Sequence, residues 1–584
     1  MKKQILSAAA ILLTGLQVLL AVPAHPGKLV YVQPDGTRIV LQRHGDEFAH
    51  WTTDATGRTV RKDADGFFRE VPDIDLGEVR RRAGARRTQA FRASAAKAGE
   101  HVAIGKKHFL VILVEFSDLS FTSSDDPQAA YDRQMNEPGY SRNGATGSAR
   151  DFYYDNSGGL FEPVFDVYGP VKLSRKYSYY GGNDGSGNDK NPEEAVVEGC
   201  QALDGQIDFS RYDNDGDGKV DMVFMYYAGY GEADSSDDDS IWPHQWELSA
   251  AGKSVTLDGV RVDKYACSNE LAGQGELAGK MGGIGTACHE FGHAMGLPDM
   301  YDTDYYTNGY AGGLYSYSTM CSGSYNNDMR TPPYFNFEER MYLGWVTEDD
   351  YKEFPRAGTY TIPPINGNVA YRTFTDMDGE FFIYENRTKT GWDRYIPAAG
   401  MVVYHADKSS RPVRTAYYTA TAHDLWYRWE ESNSINENGS HPCFYIVPAG
   451  NQSSLHTYSE SRIPFPSGNV DSYVPVSWNG VEGEVSFSRI AYAGGTVTVD
   501  VQASYDGLTL DTIASEGPYR AGDRFTFALV EEEEVRPVSV AWYFDDEPAE
   551  AASVVLTAGR HTVEARLAYP DGHSRDVTLE LDVQ

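Results

Sequence analysis

The sequence predicts a multidomain protein of the α+β class, and three observations carry that reading. Its 584 residues, 41% of them hydrophobic, supply several cores and exceed what one domain holds. Between Phe109 and Met295, strand-like and helix-like stretches alternate. From about Tyr351 onward, short strands separated by Pro- and Gly-rich turns replace helical periodicity. The predicted segments are 1–24, an export signal; 25–100, a small β-rich unit with a basic linker; 101–348, the mixed domain; 349–504, a β-rich domain packed on it; and 505–584, a β-sandwich.

Lys2 and Lys3 followed by the apolar run Ile5–Ala21, with small residues at Ala21 and Ala24, form the signal pattern. Ser7, Thr14, Gly15 and Gln17 interrupt the run, which argues against a retained anchor. No Cys follows it to take a lipid, and no later stretch is apolar for the roughly 20 residues a span needs. Export places the protein outside the cytoplasm: secreted, periplasmic or at the cell surface.

Residues 25–72 alternate strand-like runs with the turns Pro34-Asp35-Gly36, His44-Gly45-Asp46, Thr56-Gly57 and Ala64-Asp65-Gly66, which reads as a unit of hairpins. Arg80–Arg82, Arg86–Arg87 and Arg92 then form the one basic stretch, read either as a solvated linker or as an exposed, protease-sensitive junction. Phe109–Phe116 and Val220–Ala228 have the length of buried strands, and Asp151–Asn156 and Glu193–Leu203 read as helices. Gly358–Pro363, Glu380–Asn386 and Gly400–His405 are strand-like, as are Val538–Phe544 and His561–Leu567 in the tail. Short strands over that tail suggest an immunoglobulin-like sandwich.

Lys+Arg 51 against Asp+Glu 85 gives a net charge of -34, which opposes nucleic acid or an anionic membrane as partner and suits divalent cations. Asp213, Asp215, Asp217, Lys219 and Asp221 alternate along one loop with Gly218 at the sharp turn, the oxygen-rich pattern a calcium ion requires. Phe224 stands where an EF-hand carries its closing Glu, so the loop matches only the first half of that motif. The run Asp237-Asp238-Asp239 lacks such spacing and reads as a solvated loop.

The chemistry concentrates in Thr286–Asp302. His289, Glu290 and His293 form H-E-x-x-H, and on a helix the two imidazoles share one face and reach one metal ion. Glu290 then stands where a carboxylate polarises and deprotonates a zinc-bound water, the chemistry of a zinc peptidase. Met281, Ile284, Cys288, Phe291 and Met295 recur at helical spacing, and Gly296 and Pro298 stop the helix. Beyond the Gly296 bend, Asp299 is the best third ligand; Asp302, Asp304, and His405 with Asp407 are the alternatives. Met320, in Tyr315–Gly323, is the candidate for a Met-containing turn beneath the metal. The five Cys match no metal knuckle, their odd count leaves at least one unpaired within a monomer, and the sequence assigns no disulfide pairing.

With these residues in place, the chain resembles the immune-inhibitor-A-like family of secreted bacterial zinc metallopeptidases. The likeness rests on His289–Asp299 with Tyr301-Asp302, on Tyr212–Asp221 with Ala228-Gly229, and on Leu343-Gly344-Trp345. Phe382–Arg387 (F-I-Y-E-N-R) and Gly400–Asp407 extend it, and Gln33–Gly36 and His44–Phe48 are similar to pro-segments of its members. The tail looks like a PKD-type sandwich. The resemblance implies a metzincin-like fold, protein or peptide substrates, and an inhibitory pro-segment. No Cys lies in that segment, so a thiolate plug is excluded and Asp46, Glu47 or His44 would take its place. The competing class is a non-catalytic adhesin or glycan-binding protein on a peptidase scaffold; the intact Glu290 argues against it.

Overall fold

The computed structural model describes residues 22–46, 48–72, 74–79, 83, 103–184, 188–304, 308–354, 357–415, 418–427, 433–457, 459–483, 485–503, 508–512, 520–531, 539–549, 552–568 and 574–584. The apolar run of the predicted signal, the basic stretch Arg80–Arg82 with Arg86, Arg87 and Arg92, and Glu47 lie outside the described residues. The chain divides into two compact units. One comprises Met1–Lys352, Thr361–Asp471 and Ile490–Val497; the other comprises Glu353–Tyr360, Ser472–Arg489 and Thr498–Gln584. The N-terminal hairpins thus share a unit with the mixed domain, and the 349–504 stretch contributes residues to both.

At the centre of the first unit lies a five-stranded sheet in the order Phe161–Lys172, Gly105–Glu115, Val223–Tyr230, Lys264–Leu271, His244–Glu247. Neighbours are parallel except the last pair, where His244–Glu247 runs antiparallel at the edge. The apolar run of Gly105–Glu115 serves both faces. Phe109, Val111 and Leu113 enter one core with Phe152, Tyr153 and Phe291 from the helices Ala149–Asn156 and Gly285–Ala294. Leu110, Ile112 and Val114 enter the other core with Ala195, Val196 and Cys200 from the helix Pro192–Leu203. A strand buried on both sides has no polar face to alternate with, which is why its sequence is continuously apolar. The helix Ala149–Asn156 starts at a reciprocal cap: Ser148 Oγ accepts from Asp151 N at 3.1 Å while Asp151 Oδ2 accepts from Ser148 N at 3.0 Å.

Residues Leu29–Glu70 form a five-stranded antiparallel meander with a small core of Leu29, Leu41, Val60 and Phe68. Its tight turns place Gly36, Gly57 and Gly66 at φ of +84°, +84° and +85°, a region open to glycine at no steric cost. Tyr371–Phe374, Glu380–Arg387, Gly400–Asp407 and Phe444–Val447 form an antiparallel sheet whose Phe381, Ile383, Val402 and Tyr404 join the same core as Phe291. In the second unit, two antiparallel sheets meet in a cluster that includes Phe525, Phe527, Phe544, Val563, Leu567 and Leu581. All five cysteines are free and buried. Among the described residues no helix is long and apolar enough to cross a membrane.

Candidate active site

The helix Gly285–Ala294 is buried along its whole length and begins later than the periodicity from Met281 suggests. Gly282 and Gly283 delay it: a Cβ at Gly283 would lie 2.2 Å from the Met329 carbonyl oxygen, so only glycine passes there. A Cβ at Gly285 would lie 1.8 Å from Ser324 O. At the other end Gly296, with φ +97°, reverses the chain, and its N–H donates to His293 O at 2.8 Å.

The bend brings Asp299 back onto the helix. Asp299 Oδ1 lies 3.4 Å from His289 Nε2 and 3.2 Å from His293 Nε2, and the two Nε2 atoms are 2.9 Å apart. His289 Nδ1 faces Thr319 O at 2.8 Å and His293 Nδ1 faces Leu297 O at 2.7 Å. A carbonyl only accepts, so each Nδ1 carries the proton and each Nε2 presents its lone pair to the common point. Asp299 Oδ1 is buried there with no hydrogen-bond partner. Two imidazole lone pairs and an orphaned carboxylate oxygen cannot satisfy one another, but together they satisfy a cation; His289, His293 and Asp299 fit zinc with one position left open. Burial alone would raise the Asp299 pKa, yet the two histidines hold its carboxyl below the ordinary range. Burial and the neighbouring His293 lower His289, which favours the neutral, ligating form.

Asn433, itself fully buried, orients Asp299 from across the fold. Its Oδ1 accepts from Asp299 N at 2.8 Å and its Nδ2 donates to Asp299 Oδ2. The alternative ligands are engaged elsewhere. Asp302 accepts from Asp304 N and Ala311 N, both at 3.1 Å. His405 bonds Glu380 Oε1 at 2.9 Å and Tyr445 OH at 3.0 Å, while Asp407 Oδ2 receives His441 Nε2 at 2.7 Å.

Met320 lies beneath the helix. A Cβ at Gly292 would come within 2.7 Å of its sulfur, so the missing side chain of Gly292 is the space Met320 occupies. This turn also supplies Thr319 O to His289, and buried charges hold it in place. Ser318 Oγ donates to Glu339 Oε1 at 2.6 Å, and Arg387 NH1 donates to Tyr317 O at 3.0 Å. Arg387 grips Asp393 through two 2.7 Å bonds, and Tyr404 OH donates to Glu385 Oε2 at 2.9 Å.

Glu290 Oε1 accepts a 2.9 Å hydrogen bond from the backbone N–H of Val22, which is fully buried. Glu290 Oε2 has no partner. Burial pushes the Glu290 pKa well up, against the pull of the Val22 N–H and with the Asp299 charge adding to the rise. Val22 O accepts from Trp242 Nε1 at 3.2 Å, Pro23 O from Tyr325 OH at 2.7 Å, and Ala233 O from His25 N at 3.0 Å. Of the described N-terminal residues it is therefore Val22 that bonds the catalytic helix, and the expectation for His44 and Asp46 is corrected. His44 Nε2 bonds Thr53 Oγ1 at 2.9 Å, and Asp46 Oδ1 accepts from Phe48 N at 2.9 Å within its own hairpin.

In the acidic loop, carboxylate oxygens of Asp213, Asp215 and Asp217 lie within 4.8 Å of one another. Asp221 accepts both Asn214 N at 3.1 Å and Asn214 Nδ2 at 2.5 Å, and burial pushes its pKa up to about 6. Lys219 Nζ sits 3.7 Å from Asp217 Oδ2.

The immune inhibitor A peptidase M6 catalytic-domain model matches residues 95–344. Residues 95–344 are thus a peptidase M6 domain of the immune inhibitor A kind, which is less than half of this chain. Immune inhibitor A of Bacillus thuringiensis subsp. alesti is 25% identical over 295 residues, covering 43% of this chain and 42% of that protein. The pre-pro-metalloprotease PrtV of Vibrio cholerae serotype O1 (strain M66-2) is 28% identical over 482 residues, covering 70% of this chain and 48% of PrtV. The chain thus spans less than half the length of these curated relatives. Among solved structures, wild type OgpA from Akkermansia muciniphila aligns over 84% of this chain and 96% of its own at 10% identity. Its TM-score of 0.21 is too low for the likeness to carry an argument.

Around the metal site of this M6 domain the sequence reading missed Asn433, Thr319 O, Trp242 and the Val22 contact. None lies in a local motif: each reaches the site only through tertiary contact. The F-I-Y-E-N-R stretch was visible as a resemblance, but the role of Arg387 and Glu385 beneath the Met320 turn was not.

Proposed function

We propose that this chain is a zinc-dependent endopeptidase, exported and held latent by its own N-terminal segment. The observation that carries the reading is Glu290, buried one residue from His289 beside a three-ligand site that leaves a coordination position free. Zinc, when bound, supplies a Lewis acid for the scissile carbonyl and for water. His289, His293 and Asp299 hold the ion, and Glu290 takes the proton of the attacking water and returns it to the leaving amine.

Signal cleavage after Ala21, rather than after Ala24, leaves Val22 in the exported chain; latency is then supported by the Val22 nitrogen on Glu290, which occupies the base, and by the 22–25 segment running past Trp242, Ala233 and Tyr325. A relative described as a pre-pro-metalloprotease supports both the export signal and the pro-segment. The substrates are proteins or peptides. Asp213, Asp215 and Asp217, with the Lys219 carbonyl and Asp221 nearby, would hold a structural calcium ion, and the tail would be a PKD-type sandwich.

A casein zymogram with and without chelator tests the reading and separates it from a non-catalytic binding protein. Trimmed protein should clear casein, full-length protein should clear less, and Glu290→Ala should clear none while retaining its zinc. A Glu290→Ala enzyme within about tenfold of wild type, roughly 1.4 kcal/mol in the barrier, would show that another group is the base.

A further inference from the structure

In the run Asp237-Asp238-Asp239, Asp239 is exposed as a solvated loop implies, but the half-buried Asp238 holds a buried partner. That partner is Arg43, from the N-terminal meander, which is only 4% exposed. Its Nε donates to Ser235 O at 3.0 Å, NH1 to Glu232 Oε1 at 3.3 Å and to Thr52 Oγ1 at 3.0 Å, and NH2 to Asp238 Oδ1 at 2.5 Å. Glu232 is 1% exposed and also meets His50 Nε2 at 3.2 Å and Asn183 Nδ2 at 3.0 Å. Thr52 and His50 belong to the N-terminal meander, as Arg43 does; Glu232, Ser235, Asp238 and Asn183 do not. When the meander departs, both basic partners of Glu232 leave with it, and Asn183 remains.

This socket adjoins the catalytic carboxylate through a short chain of contacts. Glu290 bonds Val22 N, Val22 O bonds Trp242 Nε1, and the Trp242 ring stacks on His50 at 4.5 Å, next to Glu232. The loop that lines the socket also accepts the 22–25 segment, at Ala233 O. A peptide lying where 22–25 lies would therefore pass beside it. Two carboxylates and a carbonyl, all acceptors, set around one planar fork suit a guanidinium better than the compact ammonium of Lys. A cleft lined by one sign of charge also draws the opposite charge toward it.

We propose that the Glu232–Ser235–Asp238 socket is a substrate subsite for an arginine side chain, which Arg43 fills in the latent protein. The proposal rests on the peptidase reading, and its test has one arm independent of it. In the first arm, trimmed enzyme, freed of the trimming protease and blanked against identically treated Glu290→Ala protein, cleaves peptide pairs differing only in Arg or norleucine at each position around the scissile bond. An arginine preference on the order of a hundredfold in kcat/KM is expected at one position. Glu232→Gln should collapse that ratio toward one, through KM more than kcat, and Asp238→Asn should lower it in part.

In the second arm the full chain carries Arg43→Met, which keeps the aliphatic stem and empties the socket. Methylguanidinium should raise the melting temperature of this variant, methylammonium should not, and neither should do so once Glu232→Gln is added. Enzyme that cleaves peptides with no arginine preference at any position overturns the subsite while leaving the peptidase standing. If no peptide is cleaved, the peptidase reading fails, and equal melting of Arg43→Met with either cation overturns the socket as well. If Arg43→Met does not fold, the peptide arm decides alone, since it uses the wild-type socket.

Discussion

Asn433→Ala tests whether Asp299 is a ligand held in place rather than an acid that happens to lie near two histidines. The substitution removes the bond from Asp299 N to Asn433 Oδ1, 2.8 Å long, and the bond from Asn433 Nδ2 to Asp299 Oδ2. Asp299 is 1% exposed, so water does not replace either partner without opening the fold. The backbone N–H left behind costs about 1–3 kcal/mol of stability as a buried unsatisfied donor. The carboxylate, no longer oriented, should hold zinc about 10–100-fold less tightly, the usual effect of losing a partner behind a ligand and equal to roughly 1.4–2.8 kcal/mol. Competition against a chromophoric chelator, followed to equilibrium, reads that change without any catalytic assay. The expected ranking is Asp299→Ala weakest in zinc, Asn433→Ala intermediate, and His405→Ala close to wild type, because His405 is held by Glu380 and Tyr445 instead. Wild-type affinity in Asn433→Ala, or a loss in His405→Ala that matches Asp299→Ala, would refute the assignment of the third ligand.

Three further outcomes are expected. Gly292→Ala should destabilise the protein despite a helix propensity gain of about 1 kcal/mol. The new Cβ would stand 2.7 Å from Met320 Sδ in a buried turn, and overpacking of that kind costs about 1–3 kcal/mol; a raised melting point would show that Met320 yields freely. His50 should make the N-terminal meander's hold pH-dependent. Burial would lower its pKa, but Glu232 raises it on balance, with Arg43 opposing, so its contribution is full below its unfolded value near 6.5 and is lost as pH climbs through the folded value. The melting gap between wild type and His50→Gln should thus be wider at about pH 5.5 than at about pH 8.5, and a gap independent of pH would remove His50 from that role. Calcium at 100 times its dissociation constant should stabilise the first unit by about 2.7 kcal/mol, and melts in calcium and in a calcium-selective chelator that coincide would dismiss the Asp213 loop as a site.

The zinc helix was legible because its chemistry is local. His289, Glu290 and His293 lie within one turn and a half, and Asp299 returns through a bend that Gly296 announces, so spacing alone brings the residues together. The same holds for the central strand, whose unbroken apolar run follows directly from burial on both faces. What orients those ligands was not legible, because it arrives over long separations: Thr319 from 30 residues beyond His289, Asn433 from 134 beyond Asp299, and Val22 from 268 before Glu290. No periodicity marks a residue that serves a distant partner.

Charge patterns misled for a related physical reason. In a sequence, Arg and Asp read as solvent-facing, because burying an unpaired charge is costly. Yet Arg387 and Asp393 are both fully buried, where two 2.7 Å bonds between them offset that cost and fix the turn carrying Thr319 and Met320. Asp238, within the acidic run, misled in a similar way, its partner Arg43 lying 195 residues away. A buried ion pair adds less to stability than the fit it enforces, since its desolvation consumes much of its attraction. In the N-terminal contact this makes Arg43 better suited to choosing one docking position than to holding the meander there permanently, the combination that the proposed inhibitory role of the segment would require.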